Sequence, residues 1–171
     1  MLQLALLGLL MLPSVSSADI EQAAGDSVPA KTVKFPGGET VIDTDHGSDH
    51  VVVKDVHGKV VSESWCDSGA FDAYFALFTR LKDSVSGTDR DAVAKLIGYP
   101  LRVNAKKRLI VRNESSLLNS YDHLFTLQVL DKIRGAEPAA VFCRNGEGMF
   151  GGGVVWAIVS GGTARITAIN P

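Results

Sequence analysis

The sequence predicts an α+β protein: a curved antiparallel sheet wrapped around about three helices, with an extra β segment at its N-terminal end. Three observations carry this expectation. Residues 32–64 hold short β-branched runs separated by glycine and proline turns. Phe71, Tyr74, Phe75, Phe78, Leu81 and Val85 recur at three- and four-residue spacing, the period of one helix face. The last third reads as strands, interrupted by Gly151-Gly152-Gly153, where a sheet can bulge or bend sharply.

The chain opens on an apolar run, Leu2–Leu12, followed by the small and polar Pro13–Ala18. This is the pattern of a secretory signal peptide cut after Ala18, although no Lys or Arg precedes the run. The run is shorter than the ~20 apolar residues that span a bilayer. A periplasmic or secreted location follows as the expectation, with no stable membrane insertion once the leader 1–18 is gone. Cleavage leaves about 150 residues, a typical size for one domain.

Residues 19–31 have no apolar period and read as a flexible mature N-terminus. Within the β-rich segment 32–65, Thr32–Phe35, Glu39–Ile42, Val51–Val56 and Lys59–Ser64 are the expected strands. Pro36-Gly37-Gly38 and His57-Gly58 are turns, and the last two runs suit a hairpin. The main α+β domain, 66–171, then begins with the aromatic helix. Asp67 or Ser68 can cap its start and Gly87 can end it. Thr88 or Asp89 caps a short second helix running through Ile97, and Gly98 stops it. Tyr99-Pro100 favours extended backbone, so Leu101–Asn104 reads as a strand.

Lys106-Lys107-Arg108 reads as a solvated turn, and Leu109–Val111 leads into a third helical region from about Glu114 to Arg134. Leu117, Leu118, Tyr121, Phe125, Val129 and Ile133 form its apolar side, with a bend or break near Thr126. Ala139–Arg144 is a strand, Asn145-Gly146 a turn, and Met149–Val159 a long strand carrying the three glycines. Gly161-Gly162 turns the chain into a last strand, Thr163–Ile169.

This order of elements resembles the nuclear transport factor 2-like superfamily over about Phe71–Asn170. The nearest pieces are Tyr99-Pro100-Leu101-Arg102-Val103, Tyr121-Asp122-His123-Leu124-Phe125 and the stretch from Val141 to Trp156. They look like an exported bacterial branch of that superfamily. The resemblance implies a bent sheet that closes around helices into a cystatin-like cone with an apolar cavity. Tyr74, Phe78, Tyr99, Asp122 and Trp156 are the candidate pocket residues of such a cone. The superfamily holds isomerases and dehydratases as well as binding, inhibitory and immunity proteins, so the fold alone does not select a function.

Several local patterns bear on chemistry. Asp43, Asp45 and Asp49 alternate around Gly47 and form a weak calcium candidate. Gly47 stands where a third ligand belongs, and Lys54 stands where a bidentate Glu is needed. A solvated acidic turn is the plainer account. His46, His50 and His57 could bind zinc only if the backbone brought them to one face, which Gly47 opposes. Asp122, in an apolar cone, could act as a general base; otherwise it caps a helix or pairs with a base such as Arg102. Gly25-Asp26-Ser27-Val28 resembles an esterase serine motif superficially, but it follows no apolar strand and has no C-terminal Asp-x-x-His partner. Asn113-Glu114-Ser115 matches a glycosylation acceptor, which has no meaning if the source is bacterial, as the resemblance implies. The pair Cys66 and Cys143 allows a disulfide, as exported proteins often form, or two buried thiols packed as small hydrophobes.

Arg102, Lys106, Lys107, Arg108 and Arg112 form a basic cluster that can steer an acidic partner. The net charge of −2 gives no bias toward nucleic acid or anionic membrane, and export argues against a nucleic-acid role. The residues call for no cofactor. The expected function is an exported, non-enzymatic binding protein for a protein partner or small apolar ligand. An inhibitor or immunity protein acting on a toxin or cell-wall enzyme suits the size and the lack of catalytic motifs. The alternative is a small isomerase- or dehydratase-like cavity enzyme using Asp122. A homodimer is compatible with either.

Overall fold

A computed structural model of the chain describes residues 29–171. The leader, its cleavage point and the motif around Ser27 lie outside the described residues.

Strands β1 (Lys31–Phe35), β2 (Gly38–Asp45), β3 (Ser48–Asp55) and β4 (Val60–Asp67) form an antiparallel meander in chain order. Two of the turns are tight because their residues accept positive φ. His46 and Gly47 join β2 to β3 with φ of 47° and 85°, which makes a two-residue hairpin. Gly38 starts β2 where a Cβ would stand 1.9 Å from the Lys54 carbonyl oxygen, so no other residue fits there. Alternation sends Ile42, Val51, Val53 and Cys66 to the buried face.

The aromatic helix follows as α1 (Ala70–Ser86), with Phe71, Tyr74, Phe78, Leu81 and Val85 buried as its period requires. Phe75, between them, is only half-buried. Neither Asp67 nor Ser68 caps the helix. Its N-cap is Gly69, in a left-handed conformation and without a side-chain cap. A carboxylate from the sheet takes that role: Asp49 Oδ2 accepts the Phe71 N–H at 3.4 Å. The short helix α2 (Arg90–Lys95) does carry its own cap, Asp89, which accepts the Ala92 N–H at 2.9 Å.

β5 (Ile97–Asn104) begins earlier than the sequence predicts and contains a cis Tyr99-Pro100 bond. It pairs with β6 (Arg108–Val111). The third helical region is three helices, α3 (Glu114–Asn119), α4 (Tyr121–Leu124) and α5 (Leu127–Gly135). The break at Thr126 is the one its side chain encourages, because its hydroxyl accepts the Val129 N–H and caps α5. The break at Ser120 carries no such side-chain cap.

A 3₁₀ turn, Pro138–Ala140, leads to β7 (Phe142–Arg144), β8 (Glu147–Phe150), β9 (Val155–Ser160) and β10 (Thr163–Ile169). The expected long strand from Met149 to Val159 is therefore two strands. Gly151, Gly152 and Gly153 all have positive φ and reverse the chain between β8 and β9. The six strands run in the order β6-β5-β10-β9-β8-β7. The sheet is not wholly antiparallel, since β10 returns beside β5 in parallel. The long stretch of helices and hairpins between them supplies the crossover that parallel pairing needs.

The protein is thus α+β, with a four-stranded sheet, a six-stranded sheet and five helices. α1 packs across β9 and β10 on one side and reaches β3 and β4 with its first turns. The two sheets are joined by covalent and polar links. Cys66 on β4 and Cys143 on β7 form a disulfide with Cα atoms 5.1 Å apart. The Cys143 N–H donates to Ser64 Oγ at 3.1 Å, and the Thr40 hydroxyl ties β2 to the 3₁₀ turn before β7 by donating to the Ala139 carbonyl at 2.8 Å.

Candidate functional site

The candidate pocket residues do not converge. Tyr74 and Phe78 are 1% and 0% exposed, so no water-sized space touches either ring. Phe78 stacks on Phe150 with centroids 4.6 Å apart. Tyr74 lies flat on the backbone of β8: a Cβ at Gly148 would come within 2.7 Å of its ring. Its hydroxyl donates to the Gly146 carbonyl at 2.9 Å. Burial first, then the nearby Asp67 charge, pushes its pKa up to about 12. Tyr99 is half-buried and donates to the Ala94 carbonyl at 3.3 Å. Burial and Glu114 raise its pKa to about 12 as well. These phenols stay protonated at neutral pH and serve as structural donors.

Asp122 does not border a cavity. Its side chain is 74% exposed and makes a two-pronged pair with Arg90, at 2.6 and 3.1 Å. The same guanidinium lies 4.9 Å above the Tyr121 ring. A solvent-exposed carboxylate held by arginine shares no enclosed site with the other candidate pocket residues. The partner is Arg90 rather than Arg102, which pairs with Glu147 at 3.0 Å.

The calcium candidates are split by strand alternation. Thr44 lies opposite Asp49 in the β2–β3 register, so Asp43 and Asp45 fall on the other face of the hairpin. Asp49 is 3% exposed, with Oδ1 accepting from the Thr44 hydroxyl at 2.9 Å. The histidines are also apart. His46 sits in the turn beside Asp45, and His57 lies in the turn at the other end of β3. His50 stacks on Trp65 at 4.2 Å with its Nε2 2.8 Å from Glu63. Among the described residues no group of three or more His, Cys, Asp or Glu side chains is placed to hold a metal ion.

Trp156 and Arg102 do meet, on the face of the six-stranded sheet away from α1. The register places Phe142, Met149, Trp156, Ala168, Arg102 and Ile110 in one row across all six strands. A neighbouring row runs Arg144, Glu147, Ile158, Arg165 across β7 to β10. Asn104 and Arg108 extend the face beyond Arg102. Trp156 is oriented by its indole N–H, which donates to the Gly153 carbonyl at 3.0 Å. A shallow pocket of about 260 Å³ opens between Trp156, Arg102, Arg108 and Glu147. The face thus combines apolar side chains with four arginines and one carboxylate.

No family model, curated protein or solved structure matches this chain.

The basic cluster of the sequence is divided by the β5–β6 hairpin. Arg102 and Arg108 lie on this open face, Lys106 and Lys107 in the turn, and Arg112 beside the helices. Sequence reasoning missed Arg144, Arg165, Ile110 and Ile158. The alternation of Trp156, Ile158 and Ser160 along β9 was a usable signal for the outward face. The cross-strand row was not, because it depends on register.

Proposed function

We propose that this chain is an exported, non-enzymatic binding protein that docks an acidic protein on the open face of its six-stranded sheet. The observation that carries this is the row from Phe142 to Ile110, in which Phe142, Met149, Trp156 and Ile110 are at least partly exposed and Arg102 adds a charge, flanked by Arg108, Arg144 and Arg165 with Glu147 as the acid of the neighbouring row. Apolar surface supplies binding free energy, and the surplus of positive charge selects and steers the partner. The four-stranded sheet carries Asp43, Asp45, Glu63 and Asp67 on its outer face with Lys34 and Lys54 among them, so the surplus of positive charge lies on the six-stranded face and suits an acidic target.

The order of helices and strands, and the helices gathered on one side of the sheet, support a nuclear transport factor 2-like cone. The leader supports export to the periplasm or beyond. Within this class, an inhibitor or immunity protein acting on a toxin or cell-wall enzyme fits best, because partner recognition needs no converging catalytic groups.

The test is capture from the extracytoplasmic fraction of the source cells, by the chain and by an Arg108→Glu, Arg144→Glu double variant. The expected result is one stoichiometric acidic partner, lost in the variant while the melting temperature stays within about 2 °C. A partner retained by the variant would overturn the docking face.

A further inference from the structure

β6 closes one end of the six-stranded sheet, and its outer edge is uncovered. Arg108–Val111 pairs with β5 on one side. On the other side, no backbone group of these four residues has a hydrogen-bond partner among the described residues. An uncovered edge of this kind templates strand pairing. Here Leu109 and Ile110 are 51% and 49% exposed. Next to them a groove of about 470 Å³ separates β6 from the α3–α4 region. Leu109–Val111 line it from the strand, Arg112 and Asn113 where the strand ends, and Ser116, His123 and Leu124 from the helices.

We propose that an extended acidic segment of a partner protein adds to the sheet along β6, with alternate side chains seated in this groove. The proposal rests on the acidic-partner reading above and names how that partner engages. Strand addition satisfies the free edge with main-chain hydrogen bonds, and the groove reads every second side chain. The charge of the segment follows from its surroundings. Lys106, Lys107, Arg108 and Arg112 bracket β6, and among the described residues none of them has an ion-pair partner. No carboxylate lines the groove.

A second copy of this chain is the wrong occupant. Antiparallel pairing of β6 with itself would lay the cations flanking one copy against those of the other, and like charges directly opposite are destabilising. Geometry also sets the pattern of the segment. Side chains on the groove side meet Leu109, Val111 and Leu124 as well as the polar Arg112 and His123, and an apolar side chain is the one that the first three favour. Those on the open side lie beside Arg108 and should be acidic. The match is therefore a short stretch alternating apolar and acidic residues.

The test uses labelled hexapeptides alternating Val and Glu, their Val and Lys counterparts, and two N-methylated versions of the acidic peptide. Each N-methylated version blocks one alternate set of amides. The acidic peptide is expected to bind the purified protein and to slow hydrogen exchange at Leu109–Val111. One N-methylated version should bind at least about tenfold more weakly, and the other should bind normally. Arg108→Glu with Arg112→Glu should weaken the acidic peptide at least about tenfold and admit the lysine peptide. Equal binding of both N-methylated peptides, or protection away from β6, overturns strand addition. If the acidic peptide instead protects the row around Trp156, strand addition falls and the acidic-partner reading stands. If neither the acidic peptides nor an acidic protein binds anywhere, both fall.

Discussion

Tyr74 stands where the side chain of residue 148 would otherwise be. Its ring covers Gly148, and its hydroxyl is held by the Gly146 carbonyl. The consequence is a pH dependence with a definite sign. The folded pKa is raised from 10.0 to about 12, chiefly by burial. The folded state therefore holds the phenol proton more tightly than the unfolded chain. That stabilisation is complete below pH 10 and is lost as pH rises through about 12. It amounts to something on the order of 2 kcal/mol. Urea titrations from pH 9 to 12 should show this loss, and Tyr74→Phe should make the decline shallower. Tyr99, raised likewise to about 12, supplies part of the remaining slope. An unchanged slope in Tyr74→Phe would mean that other groups carry the effect.

At the scale of single elements, α1 depends on a residue from another element. Gly69 offers no side chain to its first turn, and Asp49 reaches across from β3 to accept the Phe71 N–H. A carboxylate at a helix N-terminus also meets the positive end of the helix dipole. Asp49→Ala should destabilise the protein by about 1–3 kcal/mol, since it leaves the buried Phe71 N–H without its partner. Asp43→Ala, on the opposite face of the same hairpin, should stay within about 0.5 kcal/mol of the parent. Thermal melts of the two variants decide this, and equal losses would disprove the capping role. The α4 carboxylate Asp122 belongs to a different class. It is a solvated partner of Arg90, the kind of pair that contributes about 0–1 kcal/mol.

At the scale of the whole molecule, two sheets with separate strand orders share one core with α1, and three links reinforce it. Two are hydrogen bonds, from Cys143 to Ser64 between the sheets and from Thr40 on β2 to Ala139 in the 3₁₀ turn before β7. The third is the Cys66–Cys143 disulfide, spanning 77 positions of sequence. Replacing both cysteines by alanine should cost about 2–5 kcal/mol, mostly through the larger freedom of the unfolded chain. Denaturant titration reads this directly. A loss under about 0.5 kcal/mol would show that packing and the two hydrogen bonds suffice. The same joining leaves the outer face of the six-stranded sheet clear, and with it the arginines that the proposed partner meets.

The sequence by itself determined what depends on neighbours along the chain. The α1 period, a cap for α2 at Thr88 or Asp89, a bend or break near Thr126 and the turns at Gly47 and Gly161-Gly162 follow from spacing and backbone chemistry within a few residues. The three glycines at 151–153 were visible as an interruption, but bend and reversal look alike until the flanking strands choose their partners. Tertiary structure alone decided the parallel return of β10, the row from Phe142 to Ile110, the use of Asp49 as a cap and the pairing of Asp122 with Arg90. All of these join residues far apart in sequence. Strand register and side-chain partners are set by which surfaces bury together, and that choice belongs to the folded chain as a whole.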